Sequence, residues 1–112
     1  MMDGMELVQQ LNYELDQAEA CAAETQGLGR EKAEAEREYR VALSKTMLRL
    51  RADGVPATII GDVCRGIPEI AELRCRRDCA EADWEANREA HYLHRQRAEM
   101  YRDIIKVEWA RQ

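Results

Sequence analysis

Apolar residues return every three or four positions along most of the chain. Leu7, Leu11, Leu15, Ala18, Ala22 and Thr25 fall on one face of a helix that starts near Asp3 and runs to about Gln26. Gly27-Leu28-Gly29 then interrupts the pattern. Two glycines in three residues cost about 2 kcal/mol of helix propensity relative to alanine, so a break or hinge is expected there. From Glu31 to Arg51 the period resumes with Ala35, Tyr39, Ala42, Leu43, Met47 and Leu50 on one stripe, and bases gather in the last turns, where the helix dipole favours them. Asp53-Gly54-Val55-Pro56 ends this helix, with Gly54 suited to a left-handed cap and Pro56 unable to continue it.

The segment from Ala57 to Cys64 reads two ways, because Thr58, Ile59, Ile60 and Val63 favour extension while the length suits one short helix; a short helix is the expectation. Arg65-Gly66-Ile67 makes a second break, and Pro68 occupies a first helical position, followed by Glu69 and Glu72 in a first turn that welcomes acids. From Pro68 to about Arg111 there is neither glycine nor proline. The apolar positions of this last helix are Ile70, Leu73, Ala80, Trp84, Ala90, Leu93, Met100, Tyr101, Ile104, Ile105 and Val107, interrupted near the seam by Arg77, Asn87, His91 and His94. The predicted fold is all-α, a long antiparallel helical hairpin of coiled-coil character forming one domain over residues 1–112. Its first arm covers residues 5–53 with a candidate hinge at 27–29, its tip covers 54–67 and its second arm covers 68–111. Two layers of helix bury little per residue, so a homodimer that enlarges the core is expected.

Composition sharpens this picture. With 5% aromatic residues and no Phe, the core must be built from Ala, Leu, Ile, Val and Met, and 35% charged residues suit long helices better than an α/β domain. No apolar run approaches the roughly 20 residues needed to cross a bilayer, and residues 1–11 lack the basic flank and apolar stretch of a signal peptide, so a cytoplasmic location is expected. Cys21, Cys64, Cys75 and Cys79 are accordingly read as free thiols packed as small apolar groups.

The net charge of -5 is unevenly distributed: residues 1–38 hold ten acids against three bases, and residues 40–77 hold eight bases against four acids. A hairpin would carry Arg49, Arg51 and Arg65 at its tip and Arg74, Arg76 and Arg77 at the start of its second arm. Such a basic tip could contact nucleic-acid phosphates, although basic helix ends and ordinary salt links account for the same residues. Residues 50–73 also loosely match a helix-turn-helix, with Pro68 in the way and no clear core triangle. The acidic arm, with Glu31, Glu34, Glu36 and Glu38 at its densest, is either a solvated face or a mimic of a phosphate track that occupies a basic groove on another protein. Trp84 and Trp109 are core anchors by default, yet a thin hairpin cannot enclose both, so Trp84 is a candidate partner contact.

Catalytic chemistry finds little support. There is no nucleophile elbow, phosphate loop, dinucleotide fingerprint or His-Glu-x-x-His. The thiols and His91 and His94 are too far apart along the helices for a structural zinc site, so neither metal nor other cofactor is expected.

The stretches Glu36-Arg-Glu-Tyr-Arg40, Leu50-Arg-Ala-Asp-Gly-Val-Pro-Ala-Thr58, Asp62-Val-Cys-Arg-Gly66, Ile70-Ala-Glu-Leu73 and Arg77-Asp78 together resemble a set of small uncharacterised all-helical proteins of phages and prophages of Gram-positive bacteria. The resemblance covers about residues 34–90 and leaves residues 1–30 outside. It implies a phage early-region protein, associated with recombination and replication functions, and brings no catalytic residues. The expected function is therefore that of a non-enzymatic interaction protein in a bacterial host cell. Its partner would be a protein or nucleoprotein complex handling nucleic acid, which it assists in recombination or replication or blocks as an inhibitor of a host anti-phage nuclease of the anti-CRISPR kind. Direct DNA or RNA binding through the basic tip, and a structural oligomer or scaffold component joined through residues 93–107, are the alternatives.

Overall fold

A computed structural model describes residues 2–112, and Met1 lies outside the described residues. Three helices follow in order, α1 (Gly4–Ala52), α2 (Ile60–Arg65) and α3 (Pro68–Ala110), with no strand among the described residues. None of the helices is long and apolar enough to cross a membrane.

Local chemistry sets each boundary. Asp3 and Glu6 form a reciprocal capping box at the start of α1: the Glu6 amide donates to Asp3 Oδ1 at 2.8 Å, and the Asp3 amide donates to Glu6 Oε2 at 3.1 Å. At the other end Gly54 takes a φ of 91°, which lets its own amide reach the Arg51 carbonyl and the Val55 amide reach the Leu50 carbonyl. These two bonds are the paired closure of a helix ending on a left-handed glycine, and Pro56 follows where the helix can no longer continue. The short helix expected over 57–64 is found at Ile60–Arg65: residues 57–59 form a turn closed by the Ile59 amide on the Pro56 carbonyl at 3.2 Å, and Arg65, expected in the break, is still helical. Pro68 opens α3, where its missing amide costs nothing.

The expected break at Gly27 to Gly29 is absent, and α1 runs as one helix through it. Gly29 lies against the indole of Trp84, where an added Cβ would stand 3.4 Å from Nε1, so a tertiary contact stands where local propensity alone predicts a break. Gly27 is different, because a Cβ there would meet nothing within 4 Å. Gly27→Ala is expected to raise stability by about 1 kcal/mol, read as a higher urea midpoint at unchanged slope. An unchanged or lower midpoint would mean that the glycine serves a bend the static helix does not show.

The chain forms two compact units, residues 2–26 with Glu85–Gln112, and Gly27–Trp84. In Gly27–Trp84 the seam of α1 is Leu28, Lys32, Ala35, Tyr39, Ala42 and Thr46, and that of α3 is Ile70, Leu73, Arg77, Ala80 and Trp84. Both series alternate steps of three and four, the 3.5-residue repeat of a coiled coil. Ile60 and the fully enclosed Cys64 of α2 are buried in this unit, as is Ile70 at the start of α3.

In the other unit the seam of α1 passes through Leu7, Leu11, Glu14, Ala18 and Cys21. The opposing seam of α3 passes through Asn87, His91, His94, Ala98, Tyr101 and Ile105. Leu15 and Ala22, expected on the buried face, are exposed, and Glu14 and Cys21 take their places. A helix facing one partner over several turns follows a period of 3.5 rather than 3.6, which shifts the buried set by one residue here. Leu93, Met100, Ile104 and Val107, also expected in the buried stripe of α3, are exposed for the same reason.

Candidate interaction site at the closed end

In Gly27–Trp84 the acidic part of α1 and the basic start of α3 lie on facing positions. The Arg77 guanidinium stands 4.5 Å over the Tyr39 ring, with Nε 3.6 Å from Glu36 Oε2 and Nη2 2.9 Å from Asp78 Oδ1. The hydrogen bond with Asp78, followed by the nearby carboxylates, raises its already high pKa. Beside it Arg76 Nη1 lies 3.2 Å from Glu38 Oε2. Glu36, Glu38, Arg76 and Arg77, read in the sequence as parts of two unlike surfaces, therefore offset one another across one seam. Glu31 and Glu34 line a shallow cleft on the Glu38 side with Arg76 and Asp83.

Trp84 is half-buried, with Lys32 Nζ 4.1 Å over its ring and Gly29 at its edge. It anchors this unit and forms one wall of an open groove of 610 Å³ that also includes Lys32, Glu36, Arg77 and Glu81.

The remaining basic candidates lie at the closed end, and their surroundings differ. Arg65 reaches Asp62 at 3.1 Å on its own helix, an exposed i,i+3 pair worth little. Arg49, Arg51 and Arg74 are exposed and form no ion pair with the described residues. The outer face of α1 adds Arg37 and Lys45, which sequence reading passed over, together with the exposed Val41 and Leu48, the latter 65% exposed. Arg37, Val41, Lys45, Leu48 and Arg51 fall at steps of three and four, so they form one stripe on the side of α1 away from its seam. The signal was present as the reversal of charge after Glu38, coupled to an apolar pair, Val41 and Leu48, seven residues apart.

The thiols do not form a site. Cys64 is enclosed as expected and Cys21 is half-buried, but Cys75 and Cys79 are exposed, because they fall off the seam of α3. The Cys79 thiol is pushed up, chiefly by its hydrogen bond with Cys75 and further by the Asp83 and Asp78 charges. A thiol held protonated is a slow nucleophile at neutral pH. Cys75→Ala is therefore expected to speed alkylation of Cys79 at pH 7.5, measured by peptide mass, and an unchanged rate would contradict the assigned cause. Among the described residues, no group of three or more His, Cys, Asp or Glu side chains is placed to hold a metal ion.

The unit of residues 2–26 with Glu85–Gln112 has a polar seam. The buried Glu14 carboxylate pairs with His94 Nδ1, and Arg97 Nη1 lies 3.9 Å from its other oxygen. Asn87 Nδ2 donates to the Cys21 carbonyl at 2.9 Å and to Thr25 Oγ1 at 3.3 Å. Among the described residues no buried side-chain nitrogen or oxygen is left without a partner. Burial of Glu14 was not read from the sequence, although its place seven residues from both Leu7 and Cys21 carried the signal. No protein family, curated protein or solved structure matches this chain.

Proposed function

We propose that this chain is a non-enzymatic interaction protein whose closed end docks on an acidic surface of a protein or nucleoprotein that handles nucleic acid. The observation that carries the reading is the stripe Arg37, Val41, Lys45, Leu48 and Arg51, in which two exposed apolar side chains stand among three bases. Phosphate contact needs only the bases. A protein interface needs apolar anchors that lose water on contact, with charges around them to orient the partner, and this stripe supplies both. The likeness of residues 34–90 to phage early-region proteins supports a setting in recombination or replication, or in inhibition of a host nuclease. The stripe lies within that range.

The test is capture of a partner from nuclease-treated bacterial lysate by the tagged protein, in parallel with a Lys45→Glu/Leu48→Glu/Arg51→Glu variant of unchanged helicity. One prey that binds the native protein and not the variant is the expected result. Prey retained equally by both would remove the stripe from the interface.

Arg49, Arg51 and Arg74, exposed and without ion pairs among the described residues, favour one second reading, direct binding of DNA or RNA. That reading requires affinity that falls steeply with salt, at roughly -0.9 in log-log slope for each phosphate contacted on duplex DNA. A slope near zero eliminates it.

A further inference from the structure

We propose that α3 carries a homodimer interface, in which Leu93, Met100, Ile104 and Val107 pack antiparallel against the same residues of a second copy, about a twofold axis near Met100. The four side chains are 46%, 48%, 37% and 52% exposed. With Arg97 they follow steps of four, three, four and three, a second coiled-coil stripe. At about 100° per residue it lies roughly 110° around the helix from the seam Ala98, Tyr101 and Ile105, so it remains free while α1 occupies that seam.

Three observations select a second copy as the occupant. The first is shortage of apolar burial. In residues 2–26 with Glu85–Gln112 the buried apolar side chains are Leu7, Ala18 and Ala98, while the seam spends Glu14 and Asn87 on polar pairs. A bundle of four helices places the second stripe in a core where this unit lacks one.

The second is area. The chain exposes 8380 Å². A compact protein of its 13.0 kDa mass exposes roughly 6,300 Å², so about 2,000 Å² is in excess. A standard dimer interface takes about 800 Å² from each partner, well within that excess.

The third is charge. Arg97 interrupts the stripe and Asp103 borders it. Antiparallel pairing near Met100 brings Arg97, about half exposed, to the partner's Asp103, and Glu89 to the partner's Arg111. It also sets Leu93 toward the partner's Val107. Parallel pairing would oppose Arg97 to its own copy and Asp103 to its own copy, which repels. The self-complementary arrangement closes under a twofold axis and leaves the stripe on residues 37–51 outside the contact.

Sedimentation equilibrium of the purified full chain, without any lysate partner, tests the proposal. The expected mass is twice 13.0 kDa at micromolar concentration. Asp103→Arg, at an exposed position of α3, is expected to raise the dissociation constant at least tenfold with helicity unchanged. Met100→Cys treated with a short bis-maleimide is expected to link position 100 of one copy to position 100 of the other, read from the crosslinked peptide. A monomer at 100 micromolar, a mass above the dimer, or a dimer indifferent to Asp103→Arg and without the 100-to-100 link would each overturn it. Because no other partner is present, a failure here leaves the reading of the closed end standing, and the reverse also holds.

Discussion

His94→Ala is expected to destabilise the hairpin by about 3 kcal/mol or more, measured by urea unfolding at one fixed protein concentration. Glu14 is 4% exposed, with His94 as its close partner and the half-exposed Arg97 at 3.9 Å. Removing one member of a buried pair leaves the other desolvated and uncompensated, which costs about 3–5 kcal/mol. Replacing both members is a different case. Glu14 and His94 occupy seam positions that leucine fills well, so the double change Glu14→Leu/His94→Leu is expected to be neutral or to stabilise by about 1–4 kcal/mol. A His94→Ala protein as stable as the native one would show that the carboxylate reaches water or Arg97 when the imidazole is absent. The stability surrendered to this pair has a use in register: Glu14 with His94, and Asn87 with the Cys21 carbonyl, are satisfied in one alignment of α1 and α3 and lose their partners if the helices slip by a heptad. The double leucine variant is the form in which slipped or alternative pairings should become detectable.

Tyr39→Ala is the second large effect, at about 3–5 kcal/mol. Tyr39 is 6% exposed and is the largest of the buried apolar side chains of Gly27–Trp84, whose others are Ala35, Ile60, Cys64 and Ile70. Its ring also carries the Arg77 guanidinium, so truncation takes away the aromatic face that this partly buried cation lies against. Tyr39→Phe keeps the ring and is expected to cost less than about 1.5 kcal/mol, the range of a near-isosteric change. If Tyr39→Ala cost as little, the Arg77 and Tyr39 stack would be an ornament of the surface. The core of this unit would then rest on Ala35, Ile60, Cys64 and Ile70.

Both effects concern residues that a hydropathy pattern treats unequally. Tyr39 stood on the expected stripe, whereas Glu14 stood beside it, and the difference is one of period. An isolated helix returns to the same face every 3.6 residues, and Leu15 and Ala22 continue the line of Leu11 and Ala18 on that basis. The paired helix returns every 3.5, and over successive heptads that mismatch turns Leu15 and Ala22 outward and draws Glu14 and Cys21 in. The four aliphatic residues of α3 from Leu93 to Val107 follow the same logic, and their displacement from the seam creates the surface assigned to a second copy.

The closed end was legible in part. Arg49, Arg51, Arg65 and Arg74 are at the end of the hairpin where a turn at Gly54 and Pro56 required them. The opposition of Glu36 and Glu38 to Arg77 and Arg76 was not, because it depends on which turn of α1 faces which turn of α3, a long-range register that no local spacing encodes. Arg37, Val41, Lys45 and Leu48 were within reach of the sequence, but their joint exposure needed the seam to be located first.

By itself the sequence determined that both arms are helical and where their outer ends and the turn between them fall, but not the choice between helix and strand for 57–64, of which Ile60–Arg65 is helical. The Asp3 and Glu6 cap, the left-handed Gly54, Pro56 and Pro68 act within a few residues of themselves, and the three- and four-residue recurrence of apolar side chains makes helix the only regular structure that buries them together. Tertiary structure alone decided that α1 continues through Gly27 and Gly29, where Gly29 meets the opposing Trp84 against a local propensity cost of about 2 kcal/mol. It also decided which polar side chains are buried and which charges cancel, since burial and pairing depend on the partner helix and its register, and those are settled only when the two arms meet.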